Sequence, residues 1–323
     1  MISVIIPIYN VEQYLFVCLN SVLRQIYQDF KIIFINDASS DSSPDILNYF
    51  SKKDSRIKVL ANEINRGPGF SRNRGLDIAK GKYISFLDGD DFLSPNAFEI
   101  LIEKAEMDNL DLLMFKNIVF YQKNQDFGME SYYDMKFMGR FENQVFNHWD
   151  LDKTKLFVMS NAPWNKLYLK SFLDENGIRF PNENLIHEDN PFFYEVITSA
   201  DRISIISTYL HNRRRRQGSI MTLTNERLFD NIEIAKIVFD YFFKKHELYE
   251  YYKKELLTYI FRTLFYVKYH QIDDNLKEEF FGKVQNVCKV FCEKYGIYND
   301  IIEIVNPDIL EFFKFDELRC DDD

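Results

Sequence analysis

Through its first 117 residues the chain alternates two hydrophobic periods. Short, unbroken apolar runs at Ser3 to Ile8, Lys31 to Ile35, Ile57 to Leu60, Tyr83 to Leu87 and Leu112 to Phe115 read as strands buried on both faces. Between the first two, Val11, Tyr14, Leu15, Cys18, Leu19, Val22 and Ile26 recur at steps of three and four, so one helix face is apolar while Glu12, Asn20 and Arg24 point to water. Ser43-Pro44 and Ser94-Pro95 read as openings of later helices, because a hydroxyl caps free N–H groups and proline loses nothing in a first turn. The resulting βαβα pattern predicts an α/β fold, with a Rossmann-like, mainly parallel sheet flanked by helices. Ligands of such sheets gather outside the carboxyl ends of the strands. Here those ends carry Tyr9-Asn10, Asn36-Asp37, Ala61-Asn62 and Asp88-Gly89-Asp90-Asp91.

The period fades between residues 118 and 160, where Tyr, Phe, Asn and Gln mix, and irregular strands and loops around a site entrance are expected. Residues 161–222 read as short helices and strands. From Asn225 the pattern turns helical, with Leu228, Ile232, Ala235, Val238 or Phe239 and Phe242 on one face, then Leu256, Ile260, Leu264 and Val267 on another. The expected division is therefore an α/β domain over 1–222 and a helical annex over 223–323.

Composition narrows the function. A chain of 323 residues, 46% hydrophobic and 16% aromatic, can bury a sizeable core. Its net charge of −10 and pI near 5.2 argue against a nucleic-acid partner, since no basic face shows outside one arginine run. Cys18, Cys288, Cys292 and Cys320 have neither zinc spacing nor a disulfide framework, and reduced thiols in the cytoplasm fit them best. No secretory signal precedes Val4, and no apolar run approaches the ~18 residues of a membrane span.

Asp88, Asp90 and Asp91 crowd three carboxylates behind a buried strand. Such groups repel unless a cation, a helix terminus or water compensates them, so the stretch is either an acidic turn or a metal site. Hard ions such as Mg²⁺ and Mn²⁺ take one or two protein carboxylates and complete their shell with water and phosphate oxygens. Context decides between the two. ISVIIPIYN, FINDASSDSSPDIL and NRGPGFSRNRGLDIAKGKYISFLDGDD, in this order, closely resemble family 2 glycosyltransferases of the GT-A fold. Downstream, NAPWNKLY (161–168), HEDNPFF (187–193) and RRRRQGSI (213–220) resemble the acceptor-side and lid motifs of bacterial, surface-glycan members. The resemblance covers about residues 2–222, making 1–117 a nucleotide-binding half and 118–222 an acceptor half with a lid.

Carried over by position, the resemblance implies that Pro7 and Tyr9 frame a nucleobase and that Asp37 accepts from the uracil imide N–H, a donor cytosine lacks. Alanine at 38 stands where the family often has glycine, a departure expected only to tighten the turn. The resemblance gives Arg72 to the base or phosphate region, with Gly67 and Gly69 allowing close approach. Asp88 goes to ribose or the water shell of a divalent ion, Mn²⁺ or Mg²⁺, and Asp90 ligates that ion. Asp91 is a structural hydrogen-bonder.

Glu188 and Asp189 precede an apolar stretch, at a helix start that favours ionised carboxylates. The resemblance makes Asp189 the catalytic base and has Glu188 orient the acceptor. Aligned on Ser219, Arg214 and Arg216 take the arginine positions of a loop that closes over diphosphate, whereas His211 and Arg213 replace the usual aromatic residues. Trp164 has two readings, stacking on an acceptor sugar or packing in the core. The implied reaction is inverting transfer of a sugar from a nucleotide donor, UDP-linked by the Asp37 argument, to a hydroxyl of a glycan or lipid-linked glycan.

Two other readings compete with this one. A nucleotidyltransferase predicts a glycine-rich, lysine-containing loop after the first strand, where this chain has Tyr9-Asn10-Val11-Glu12. A non-catalytic scaffold of the same fold would not need both Asp90 and Asp189. The aromatic C-terminal third can pack on the catalytic domain, form a homo-oligomer interface or touch lipid at the inner membrane face. Packing is the default, and its excess of Asp and Glu gives no support to docking on anionic lipid.

Overall fold

The computed structural model describes residues 1–215 and 224–315, side chains 131 and 133 excepted. Contacts divide the chain into two units. The first comprises Met1–Leu151, Val158–Asn184 and the stretch from Glu188 through the last strand. The second takes Asp152–Phe157, Leu185–His187 and the C-terminal helices. The expected boundary at 222–223 lies outside the described residues.

The first unit opens with β1 (Ile2–Ile8), α1 (Glu12–Leu23), β2 (Phe30–Asn36), α2 (Ser43–Ser51), β3 (Ile57–Ala61), α3 (Gly67–Ile78) and β4 (Tyr83–Phe86). Four parallel strands run side by side in the order β3-β2-β1-β4. Ile2, Val4, Ile6 and Ile8 of β1 are buried in one cluster with Leu15, Leu19 and Val22 of α1, each such side chain contributing about 1.5–3 kcal/mol. The helical stripe and continuous strand runs are thus two faces of one core. Because the strands are parallel, Tyr9, Asp37, Asn62 and the acidic stretch share one rim, stitched by Asp37 N–H to Ile8 O (2.8 Å) and Asn62 N–H to Asn36 O (2.8 Å).

The sheet then becomes mixed. It adds β5 (Phe92–Leu93), β6 (Leu112–Tyr121), β7 (Asp126–Gly128), β8 (Lys166–Leu169) and β9 (Ile203–Arg215), with α4 (Ala97–Met107), α5 (Ser131–Asp134), α7 (Lys170–Glu175) and α8 (Asp189–Ser199) between them. The third intervening helix in chain order, α6 (Lys153–Leu156), belongs to the second unit. Strand β8 is antiparallel to both β4 and β6, while β9 runs parallel to β6 and antiparallel to β5. After the β6/β7 hairpin the stretch up to residue 160 is made of short helical segments joined by loops rather than irregular strands.

Neither Ser-Pro hydroxyl caps a helix. Ser43 Oγ accepts from Val11 N–H (3.2 Å), and Ser94 Oγ donates to Tyr209 O (3.3 Å) three residues before α4. Both serines tie loops to neighbouring elements.

The second unit contains α9 (Asp230–Lys244), α10 (His246–Thr258), a π-helical segment (Tyr259–Tyr266), α11 (Val267–Gln271), α12 (Lys277–Tyr295), α13 (Tyr298–Ile304) and α14 (Pro307–Phe312). Its aromatics pack on one another: Phe239 stacks on Phe291 at 4.4 Å between centroids and meets Tyr249 edge-on. Cys288 and Cys292 are buried, as is Cys18 in the first unit. Among the described residues no helix is long and apolar enough to cross a membrane.

Candidate active site

On the rim, Tyr9 is 50% exposed at the end of β1, and Pro7 is partly buried inside that strand. Asp37 is buried, and its carboxylate accepts three hydrogen bonds, from Asn62 Nδ2 (2.6 Å), Arg66 N–H (2.9 Å) and Gly67 N–H (2.8 Å). It therefore closes the first turn of α3, where free N–H groups need an acceptor. A carboxylate has about four lone-pair positions, which leaves one on Oδ2 for a ligand.

Beside it Ala38 sits at φ 59°, so the departure from glycine puts a side chain in the left-handed region rather than merely tightening a turn. That conformation costs alanine roughly 1–2 kcal/mol, partly offset by glycine's greater freedom in the unfolded chain, about 0.5–1 kcal/mol. Ala38→Gly is expected to raise stability by about 0.5 kcal/mol, read as a higher urea midpoint at unchanged slope.

The acidic stretch and the arginine run, more than a hundred residues apart, are sewn together. Strand β5 pairs Phe92 with Asn212 and Leu93 with His211. In consequence Asp91 Oδ1 accepts from Arg214 N–H (2.7 Å), and Arg214 Nε donates to Asp90 O (2.8 Å). The Arg214 guanidinium also reaches Gln122 Oε1 (2.5 Å) and lies among the rings of Tyr14, Phe92 and Phe120. It braces the loop that carries Asp90, with N–H groups left over. Arg216 and Ser219 lie outside the described residues.

His211 replaces an aromatic residue in chemistry but not in packing. Its ring stacks on Trp164 at 4.3 Å and 13°. Trp164 is only 5% exposed and packs with Val119 and Ala162, so the core reading describes it, and His211 covers one ring face. Burial pushes the imidazole down to about 3, holding it neutral. Its Nε2 lies 3.2 Å from Asp91 Oδ2, misaligned for a hydrogen bond. Burial, with Asp88 nearby, pushes the Asp91 carboxyl well above the usual range.

Glu188 and Asp189 stand where α8 begins, as expected from their place before Pro191. Arg72 joins them to the acidic loop: Nη1 donates to Glu188 Oε1 (2.6 Å) and Nη2 to Asp88 Oδ1 (2.9 Å). The guanidinium is buried over the Phe180 ring, and its Nε–H has no hydrogen-bond partner among the described residues. Gly69 makes room for this bridge, since a Cβ there would meet Glu188 Cγ at 2.9 Å and Pro181 O at 3.1 Å. Burial raises the Glu188 carboxyl, opposed by Arg72. Asp189 keeps partial exposure, yet its desolvated surroundings raise its carboxyl too, opposed by Arg72, backbone N–H groups and Lys166. A carboxylate that holds a proton more readily than usual, yet can be reached, is suited to general-base work. His187, at φ 64°, puts Nδ1 2.9 Å from Asn231 Oδ1 in the second unit.

The donor set fits a hard divalent ion. Asp88 and Asp90 are both partly exposed, and Mg²⁺ or Mn²⁺ bound through one or two carboxylates draws its remaining ligands from water and substrate oxygens. Among the described residues no group of three or more His, Cys, Asp or Glu is arranged to hold a metal by itself.

Sequence comparison gives this geometry its class. The family model for glycosyl transferase family 2 matches residues 3–177, and the chain belongs to that family of glycosyltransferases. Glu188, Asp189 and the arginine run lie beyond the matched segment. Glycosyltransferase GlyG of Streptococcus pneumoniae serotype 4 is 32% identical over 234 residues, 68% of this chain and 73% of that protein. The putative glycosyltransferase EpsH of Bacillus subtilis is 31% identical over 263 residues, 80% of this chain and 74% of that one. In three dimensions the chain matches S. aureus TarS residues 1–349, solved in complex with UDP, with a TM-score of 0.73 at 19% identity, covering 98% of this chain and 88% of that one. At that identity the match shows the fold, GT-A with a helical C-terminal region.

Proposed function

We propose that this glycosyltransferase transfers a sugar, with inversion, from a UDP-linked donor to a hydroxyl of a bacterial surface glycan or its lipid-linked precursor. The observation that carries this is the Asp88–Arg72–Glu188 bridge, buried at Arg72 and Glu188. It ties the acidic loop after β4 to the first turn of α8, bringing a diphosphate-holding element and a basic carboxylate into one site. UDP bound to the structurally similar TarS supports uridine. Pro7 and Tyr9 would flank the base, the spare lone pair of Asp37 would accept its imide N–H, and Asp88 would meet the ribose.

Asp90 would ligate a divalent ion, which when bound supplies positive charge to the diphosphate. Asp189 takes the proton of the acceptor hydroxyl as the oxygen forms its bond to the anomeric carbon. The bond from that carbon to the diphosphate breaks on the opposite side, and its electron pair leaves with UDP. Glu188 orients the acceptor, while the remaining N–H groups of Arg214, together with Arg216 and Ser219, receive the developing charge on the diphosphate.

Incubation with a panel of nucleotide sugars, with and without Mn²⁺ or Mg²⁺, tests this reading. Release of UDP from one UDP-sugar is expected, and removal of the ion with a chelator is expected to abolish it. Release from no donor, or from a non-uridine donor alone, would overturn it.

A further inference from the structure

The amide-rich turn from Ser160 to Asn165 ends on a lysine that the site has so far left unused. Lys166, first residue of β8, is 0% exposed. Its ammonium donates to Ser160 O (2.7 Å), Ala162 O (2.6 Å) and Asn165 Oδ1 (2.8 Å). All three acceptors are neutral, and satisfying them takes three N–H groups, which only the protonated amine has. Burying an ammonium with no carboxylate bonded to it is expensive, so a residue serving only to tie a turn would more cheaply be uncharged.

Its location supplies the reason. Lys166 Nζ lies 4.9 Å from the centroid of Phe193, one helical turn along α8 from Asp189 and on the same face. From the same turn, the Asn161 side chain hydrogen-bonds that of Asn190, the neighbour of Asp189. Ammonium and turn are both docked on the stretch of helix that carries the base.

We propose that Lys166 is a positioning residue for sugar transfer: its buried ammonium clamps the 160–165 turn onto the first turn of α8 and, beside Arg72, contributes to the field that keeps Asp189 ionised toward the acceptor. This rests on reading Asp189 as the base. The groups facing Asp189 are Glu188 beside it, Arg72 on α3, Asp88 after β4, and Tyr168 and Lys166 on β8. The two cations differ, because Arg72 is already engaged by Glu188 and Asp88, whereas the hydrogen-bond partners of Lys166 among the described residues are all neutral. Burial pushes the Lys166 amine down to about 7, and the Asp189 charge opposes that shift.

The coupling is testable from both ends. In Lys166→Met, the acid limb of kcat/KM for UDP release from the fastest donor is expected to move up by about one pH unit. A uniform rate loss with the limb unmoved, as a merely structural role would give, overturns the proposal. Because that substitution strands three buried acceptors, a second measurement leaves Lys166 in place. In NMR titration with isotope-labelled lysine, its amine should titrate lower in Asp189→Asn than in wild type, since coupling is reciprocal. Identical titration in the two proteins overturns the proposal even if Asp189→Asn is inactive. Wild-type transfer by Asp189→Asn would instead overturn the base assignment, and this role for Lys166 with it.

Discussion

Replacing Asp189 by Asn is expected to lower kcat for sugar transfer by ~10²- to 10⁴-fold, the usual worth of a general base, with UDP binding unchanged. The amide matches the carboxylate in size but cannot take a proton. The Arg72 bonds run to Glu188 and Asp88 rather than to Asp189, so the ion-pair bridge survives. Loss in kcat with little change in KM is the signature of an interaction made in the transition state. Only ionised Asp189 can act, and its carboxyl is raised. The wild-type rate should therefore fall, as pH drops, through a limb above the ordinary aspartate range, and the variant's residual rate should lack that limb. Wild-type transfer by the variant would remove Asp189 from the mechanism.

The same shift predicts the stability effect. A carboxyl raised by folding stabilises the folded state below its unfolded pKa, and that contribution is lost as pH rises through the folded value. Ionised Asp189 is thus a cost at neutral pH that the amide avoids. Asp189→Asn should unfold no more easily than wild type at pH 7, with any gain growing as pH rises from the ordinary aspartate range to about 6 and staying level above it.

The parts of this site that were legible in the sequence are those with local signatures. Strands buried on both faces leave unbroken apolar runs, which is why β1 to β4 appear within one or two residues of their observed bounds. With them came the rim that carries Tyr9, Asp37, Asn62 and Asp88. The stripe from Val11 to Val22 likewise marks α1. Long-range pairing leaves no such trace. Strand β9 ends in Asn212 to Arg215, polar residues with no strand period that show as strand only with β5 and β6 beside them, so the contact of Asp91 with Arg214 could not be inferred from spacing. Lys166 was hidden for a related reason. A lysine is presumed exposed, and the carbonyls that make its burial tolerable belong to a turn whose shape no hydrophobic period encodes. At Ala38 the departure from glycine was visible, but its cost required the backbone φ.

Arg72→Met is expected to cost about 3–5 kcal/mol of folding stability at neutral pH, the loss typical when one partner of a buried ion pair is removed. The methionine fills much of the space over Phe180, so the deficit comes chiefly from charge: Glu188, buried, loses the only cation bonded to it among the described residues. Its carboxyl, already raised by burial, then rises further, because Arg72 is what opposes that shift. The folded variant therefore holds its proton to higher pH than folded wild type, and stability falls more steeply as pH rises. Urea midpoints across pH should show the gap between variant and wild type narrowing in acid, where Glu188 is protonated in both. In a double-mutant cycle with Glu188→Gln, the second substitution should be far less damaging in the Arg72→Met background than in wild type. A gap equal at every pH would assign the loss to packing over Phe180, and the bridge would then no longer explain how the acidic loop and α8 are held together.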